Sequence, residues 1–198
     1  MTPGHAAPPQ EHVWWPGHGN RLMFILRLLP GVWDAMLASL RYAGLGSLPS
    51  PDWPRECCHQ SLSRRYADQP WVRQRLIAAG DQVKAPAFAL ELDRARAGLH
   101  AEVRARGCCA GLERLIDAIG AALVGQGLPR GGSHWPHVTL DYRYRGAGIA
   151  TRPMSPVHWP VQAFELVAGG GRPYRYTPLA RWQLDPPVPG AVQPDLFS

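Results

Sequence analysis

Two short stretches of this chain repeat one arrangement of side chains, and that repeat constrains the fold more than any bulk property does. In His134-Trp135-Pro136-His137-Val138-Thr139-Leu140-Asp141-Tyr142-Arg143, the residues Val138, Thr139, Leu140 and Tyr142 favour an extended strand entered through Pro136. Strand side chains alternate between faces. His137, Thr139, Asp141 and Arg143 therefore share one face, and Val138, Leu140 and Tyr142 the other. Residues 57–66 alternate in the same way and place His59, Ser61, Ser63 and Arg65 together. Each row opens with an imidazole, carries a hydroxyl two residues on and closes with a guanidinium. A polar face on one strand is ordinary, but two of matching chemistry call for a fold that makes the same strand twice.

The rest of the chain supplies the elements for such a fold. Arg21 to Leu29 is nearly continuous apolar sequence, as in a buried central strand. Trp33, Met36, Leu37 and Leu40 recur at helical spacing, with Gly44 placed to end the helix, and 44–54 reads as loop. The first motif strand is expected over about 56–64. A helix capped by Asp68 follows, with Pro70 in its first turn, Val72, Leu76 and Ile77 inward, and Gly80 after it. Phe88, Leu90 and Leu92 alternate as a half-buried strand, and Leu99 to Arg104 form another. Leu112, Leu115, Ile116, Ile119 and Leu123 give an amphipathic helix closed by Gly125 or Gly127. The second motif strand spans about 135–144. After a Gly/Pro loop, Val157 to Ala168 reads as one strand, Gly169-Gly170-Gly171 as a turn and Tyr174 to Leu184 as the returning strand. The order predicts an α+β fold with mixed or antiparallel sheets.

Composition narrows the function. The 198 residues suffice for one domain or two small lobes sharing a core. Net charge is +6, and all but one of the 21 basic residues (Lys84) are arginine, whose planar fork suits phosphate. A bias toward arginine codons accounts for the same count equally well. The four cysteines fall in two adjacent pairs, Cys57-Cys58 and Cys108-Cys109, a spacing that fits neither a disulfide framework nor a zinc signature. A metal site on Cys57, Cys58 and His59 is the weaker reading beside buried thiols, and no cofactor is expected. Residues 1–20, with His5, His12 and His18 among Pro and Gly, read as a loosely ordered arm rather than a signal peptide. No run reaches membrane-spanning length, so a cytoplasmic location is expected.

The two rows, His59-Gln60-Ser61-Leu62 and His137-Val138-Thr139-Leu140, form the paired H-x-[ST]-x signature of the 2H phosphoesterase superfamily. Over roughly residues 21–185 the chain resembles its 2′-5′ RNA ligase (LigT-like) branch, the RNA 2′,3′-cyclic phosphodiesterases. The resemblance extends to Arg21-Leu22-Met23-Phe24 and to Phe164-Glu165-Leu166-Val167 with Tyr176 to Leu184. It implies a two-lobed fold whose pseudo-symmetric sheets flank a central cleft, with helices outside and one motif from each lobe. It also implies hydrolysis of a 2′,3′-cyclic phosphate to a 2′-phosphomonoester, with reversible 2′-5′ ligation, and it gives proton donation to His59 and acceptance to His137. The residues alone leave those two roles open, because the constellation is nearly symmetric. Departures from the pattern are Ser61 where threonine is usual, Ser63-Arg64-Arg65 in place of Phe-Leu-Gly, and Tyr142 before Arg143 where arginine is common.

The chemistry matches these residue types. A water must lose a proton on one side of the phosphorus while a ribose oxygen gains one on the other, and two imidazoles do both near neutral pH. Ser61 and Thr139 would donate to the nonbridging oxygens, so no metal is needed. Alternation makes Arg65 and Arg143 candidate phosphate contacts, and Trp135 or Tyr66 a stacking surface for a terminal base. The rival reading is a non-catalytic RNA- or nucleotide-binding module of the same fold. Beyond the domain, the Pro-rich tail 186–198 ends in Gln193-Pro194-Asp195-Leu196-Phe197. Its Gln193, Leu196 and Phe197 resemble the short peptide by which bacterial proteins dock on a polymerase sliding clamp.

Overall fold

In the computed structural model, residues 13–49, 53–131, 135–142 and 144–187 are described. The apolar run near the start forms β1 (Arg21–Arg27), whose interior residues are buried on both faces. Pro30 then opens α1 (Pro30–Tyr42), where its missing N–H has no helical partner to lose. Gly44, at φ 71°, turns the chain out of the helix. After a 3₁₀ turn come β2 (His59–Ser61) and β3 (Tyr66–Ala67), then α2 (Pro70–Gln82), β4 (Phe88–Ala97), β5 (Ala101–Arg104), α3 (Ala110–Gly125) and β6 (His137–Asp141). β7 (Ile149–Val161), β8 (Ala163–Gly170) and β9 (Arg175–Gln183) follow.

The strands form two antiparallel sheets, one ordered β2-β1-β8-β9 with β3 also on β1, the other β6-β5-β4-β7. Both motif strands are therefore sheet edges, and the α+β fold is purely antiparallel in its named strands. A continuous core runs under both sheets, from Phe24, Leu26 and Leu40 through Leu76, Leu92 and Leu115 to Val138, Trp159 and Phe164. The helices supply its outer layer: α1 packs on β7, and α2 on α3, β8 and β9.

Four expectations need correction. The first motif strand is three residues, not nine. The Leu62 N–H donates to the Phe24 carbonyl and the Phe24 N–H to Ser63 Oγ, so the chain leaves the ladder and Ser63 serves the backbone of β1. Asp68 does not cap α2: Gln69 holds that position without a capping bond from its side chain, and Asp68 pairs with Arg73 at 2.6 Å. Gly80 lies inside α2, where the ring of Trp182 occupies the space of a Cβ. The single strand expected over 157–168 is two, broken at Gln162 and shared between the sheets. β7 also takes in residues expected as loop. Its Pro153, Pro156 and Pro160 argue against a strand in the sequence, yet β7 is an edge strand, where a missing donor is tolerated.

Of the expected loose arm, residues 13–15 pack against the domain and 16–20 are exposed. Val13 is buried, Trp14 stacks on Tyr66 with ring centroids 5.1 Å apart, and the Trp15 backbone N–H donates to the Arg65 carbonyl at 3.1 Å. Arg143, and Gln193, Leu196 and Phe197 of the tail, lie outside the described residues.

Candidate active site

Residues paired across an antiparallel ladder share a face, so the registers define two walls. His59 pairs with Arg27 and Ser61 with Ile25 on one sheet; His137 pairs with Arg104 and Thr139 with Glu102 on the other. The two edges meet through a residue that sequence reasoning passed over. The His137 backbone N–H donates to Gln60 Oε1 at 2.6 Å, and Gln60 Nε2 donates to the Ser61 carbonyl at 2.7 Å. Gln60 is fully buried. A glutamine between two motif residues points away from the polar face, and its burial there was the available signal: an amide with no partner would be costly.

The imidazoles are held alike. His59 Nδ1 lies 2.7 Å from the Cys57 carbonyl and His137 Nδ1 2.8 Å from the Trp135 carbonyl, each two residues upstream. A carbonyl only accepts, so Nδ1 carries the proton and Nε2 is left as the exchanging nitrogen in both rings. Ser61 Oγ is 3.2 Å from His59 Nε2, and the Thr139 hydroxyl lies beside the Tyr142 phenol in the cleft. Between the walls lies a cleft of about 500 Å³ lined by Trp14, Trp15, Ser61, Arg65, His137 and Thr139, among others. His59 sits behind Ser61, 5% exposed, with its ring edge-on to Tyr176 at 4.9 Å.

Burial dominates the electrostatics of His59. Desolvation pushes its pKa down to about 4, and the charges of Arg21, His137 and Arg27 push the same way against the bond to the Cys57 carbonyl. The resting imidazole is neutral. Arg21 packs over the rings of Trp15, Tyr174 and Tyr176 at 5.1 to 5.8 Å and donates to the Tyr176 hydroxyl at 2.8 Å. Burial in turn raises the Tyr176 phenol, keeping it protonated.

Of the expected site residues, His59, Ser61, Arg65, His137 and Thr139 come together, Arg65 with its guanidinium 5.6 Å from the Trp15 ring. Two aromatic expectations need correction. Tyr66 is buried, with its hydroxyl donating to the Pro129 carbonyl. The Trp135 side chain does not line the cleft; it is 59% exposed and borders two other grooves. The aromatic wall comes instead from Trp14 and Trp15, whose adjacency within a Pro- and Gly-rich arm was the overlooked signal. Among the described residues, no group of three His, Cys, Asp or Glu side chains is arranged to hold a metal ion. His59 Nδ1 is already bonded to the Cys57 carbonyl.

Two antiparallel sheets that each present an edge-strand His-x-hydroxyl motif to a shared cleft define a LigT-like α+β fold. Among solved structures the chain is similar to Escherichia coli LigT in apo form, at 23% identity and TM-score 0.65, covering 84% of this chain and 98% of that one. LigT complexed with 3′-AMP matches at 23% identity and TM-score 0.65, covering 84% and 99%. TT0787 of Thermus thermophilus matches at 18% identity and TM-score 0.65, covering 84% and 98%. No family model and no curated protein matches the chain. Among the described residues, no helix is long and apolar enough to cross a membrane.

Proposed function

We propose that this protein hydrolyses a 2′,3′-cyclic phosphate, on RNA or on a nucleotide, to a 2′-phosphomonoester without a metal ion. The observation that carries this reading is the matched hold on the two motif imidazoles, each with Nδ1 bonded to the carbonyl two residues upstream. In that geometry Nε2 of His137 takes a proton from water, the water oxygen bonds to phosphorus, and the bond from phosphorus to the 3′ oxygen breaks. His59 then gives its proton to that oxygen. Ser61 and Thr139 turn from His59 and Tyr142 to donate to the nonbridging oxygens, and Arg65 faces the phosphate from the cleft wall. A ribose 5′-hydroxyl in place of water gives a 2′-5′ linkage by the same path, and the reverse of that step cleaves the linkage. E. coli LigT, similar in fold, is found complexed with 3′-AMP, a nucleoside phosphate.

The order of proton transfer is the one the family resemblance implies, and burial adds a condition to it. His59 is neutral in the free protein, so the substrate's negative charge must first raise its pKa. The burial of His59 is also what favours the rival reading, a binding module in which this histidine only packs. Incubating the protein with adenosine 2′,3′-cyclic phosphate in excess EDTA separates the two readings. Phosphorus NMR should show conversion to adenosine 2′-phosphate. Binding without conversion would establish the module and end the catalytic reading.

A further inference from the structure

Outside the cleft, the second sheet carries a concentration of arginine that the reaction does not use. Arg94, Arg104 and Arg106 line a groove of about 330 Å³ together with Trp135 and Thr151. Arg104 pairs in register with His137, so the groove continues the cleft wall, with the two backbones one strand spacing, about 5 Å, apart. Arg96 adds a fourth guanidinium on the neighbouring strand. Carboxylates also lie among these charges: Glu102 pairs with Arg96 and lies 3.3 Å from Arg104, and Asp93 lies 3.7 Å from Arg94.

Trp135 is the second, independent feature. Its indole is 59% exposed and open to a ligand, and its backbone is fixed because its carbonyl accepts from His137 Nδ1. A fixed aromatic plane beside arginines matches what single-stranded nucleic acid presents, a flat base on a charged backbone. The side chain faces away from the cleft, so the base it would stack is not the one attached to the reacting phosphate.

We propose that the groove of Arg94, Arg104, Arg106 and Trp135 is a second binding site, holding the nucleotides that precede the terminal one in a single-stranded RNA. This rests on the cyclic-phosphate reading of the cleft and extends it: the preferred substrate is an oligonucleotide, not a mononucleotide. The arginines contact backbone phosphates and Trp135 stacks on a base.

The test measures binding and turnover separately, so that failure of the groove is distinguishable from failure of the cleft. Binding of a fluorescent RNA octamer ending in a 3′-phosphate is followed by polarisation across a salt series. Wild-type protein should bind it more tightly than adenosine 2′-phosphate. Trp135→Ala should weaken octamer binding by roughly tenfold or more. Arg94→Gln with Arg106→Gln should lower the slope of log affinity against log salt by about 1.4. Turnover of adenosine 2′,3′-cyclic phosphate, which reports the cleft alone, should be unchanged in the Arg94→Gln, Arg106→Gln variant. Octamer affinity and salt slope equal to wild type would overturn the groove whatever the turnover. Equal losses on octamer and mononucleotide would overturn it too, by showing that these residues act on the cleft.

Discussion

At the residue scale, His59 carries the sharpest consequences. As the proton donor, a group that titrates at about 4 in the free protein sets the alkaline limb of kcat/KM, which should fall as pH rises above about 4. The kcat profile reports the complex, where phosphate charge raises the same group, so its alkaline limb should lie higher. Limbs of kcat and kcat/KM that coincide near pH 6.5 would show that burial does not govern this histidine. Gln60 is the residue on which the pairing of the motifs depends. Gln60→Leu leaves the His137 N–H without its acceptor at a cost of about 1–3 kcal/mol. It should lower kcat by releasing β6 from β2 while circular dichroism shows the fold retained; unchanged kcat would reduce the bridge to packing. Alternation along the motifs was enough to find His59, Ser61, His137 and Thr139, whereas Arg65 lines the cleft from beyond the end of β2, where alternation no longer holds. It missed Gln60, which points to the other face and matters only once two edges meet, and it misplaced Trp135, because a strand pattern does not say which side of a cleft a preceding loop turns toward.

At the element scale, apolar periodicity was read well wherever one face is buried against one layer, as in α3 and β4, whose inward residues Leu112, Leu115, Leu90 and Leu92 are all buried. It failed where a proline signal competed with edge placement, in β7, and where a glycine was read as a stop. Gly80 sits mid-helix because Trp182 packs against its bare backbone, a contact between residues far apart in sequence. Gly80→Ala raises helix propensity, yet the added methyl meets the indole, and overpacking of this kind costs about 1–3 kcal/mol. The midpoint of urea unfolding should therefore drop. A raised midpoint would mean that α2 and β9 separate easily, and with them the outer layer over the first sheet.

At the scale of the whole molecule, a single core joins both sheets, so the walls of the cleft are held by global stability and the titration of His59 is felt throughout. The unfolded chain binds a proton at this histidine near pH 6.5 and the folded protein only near 4. Between those values the unfolded state holds more protons. Stability is thus full above pH 6.5 and falls as pH drops, by about 3 kcal/mol at pH 4 from this group alone. Urea unfolding at pH 7 and pH 4.5 should show a larger loss in wild type than in His59→Asn; equal losses would place the acid sensitivity elsewhere. The two-sheet architecture was legible in the sequence because the motif occurs twice; the division of 149–170 between the sheets was not, since one glutamine marks the crossing. The central claim is that His59 and His137 act as one unit across the cleft, and a double-mutant cycle on adenosine 2′,3′-cyclic phosphate tests it most directly. His59→Ala and His137→Ala should each reduce kcat by roughly 10²–10⁴-fold, and the double variant should lose little more than either alone, as groups that act together do. Near-normal turnover in either single variant, or losses that multiply in the double, would contradict it.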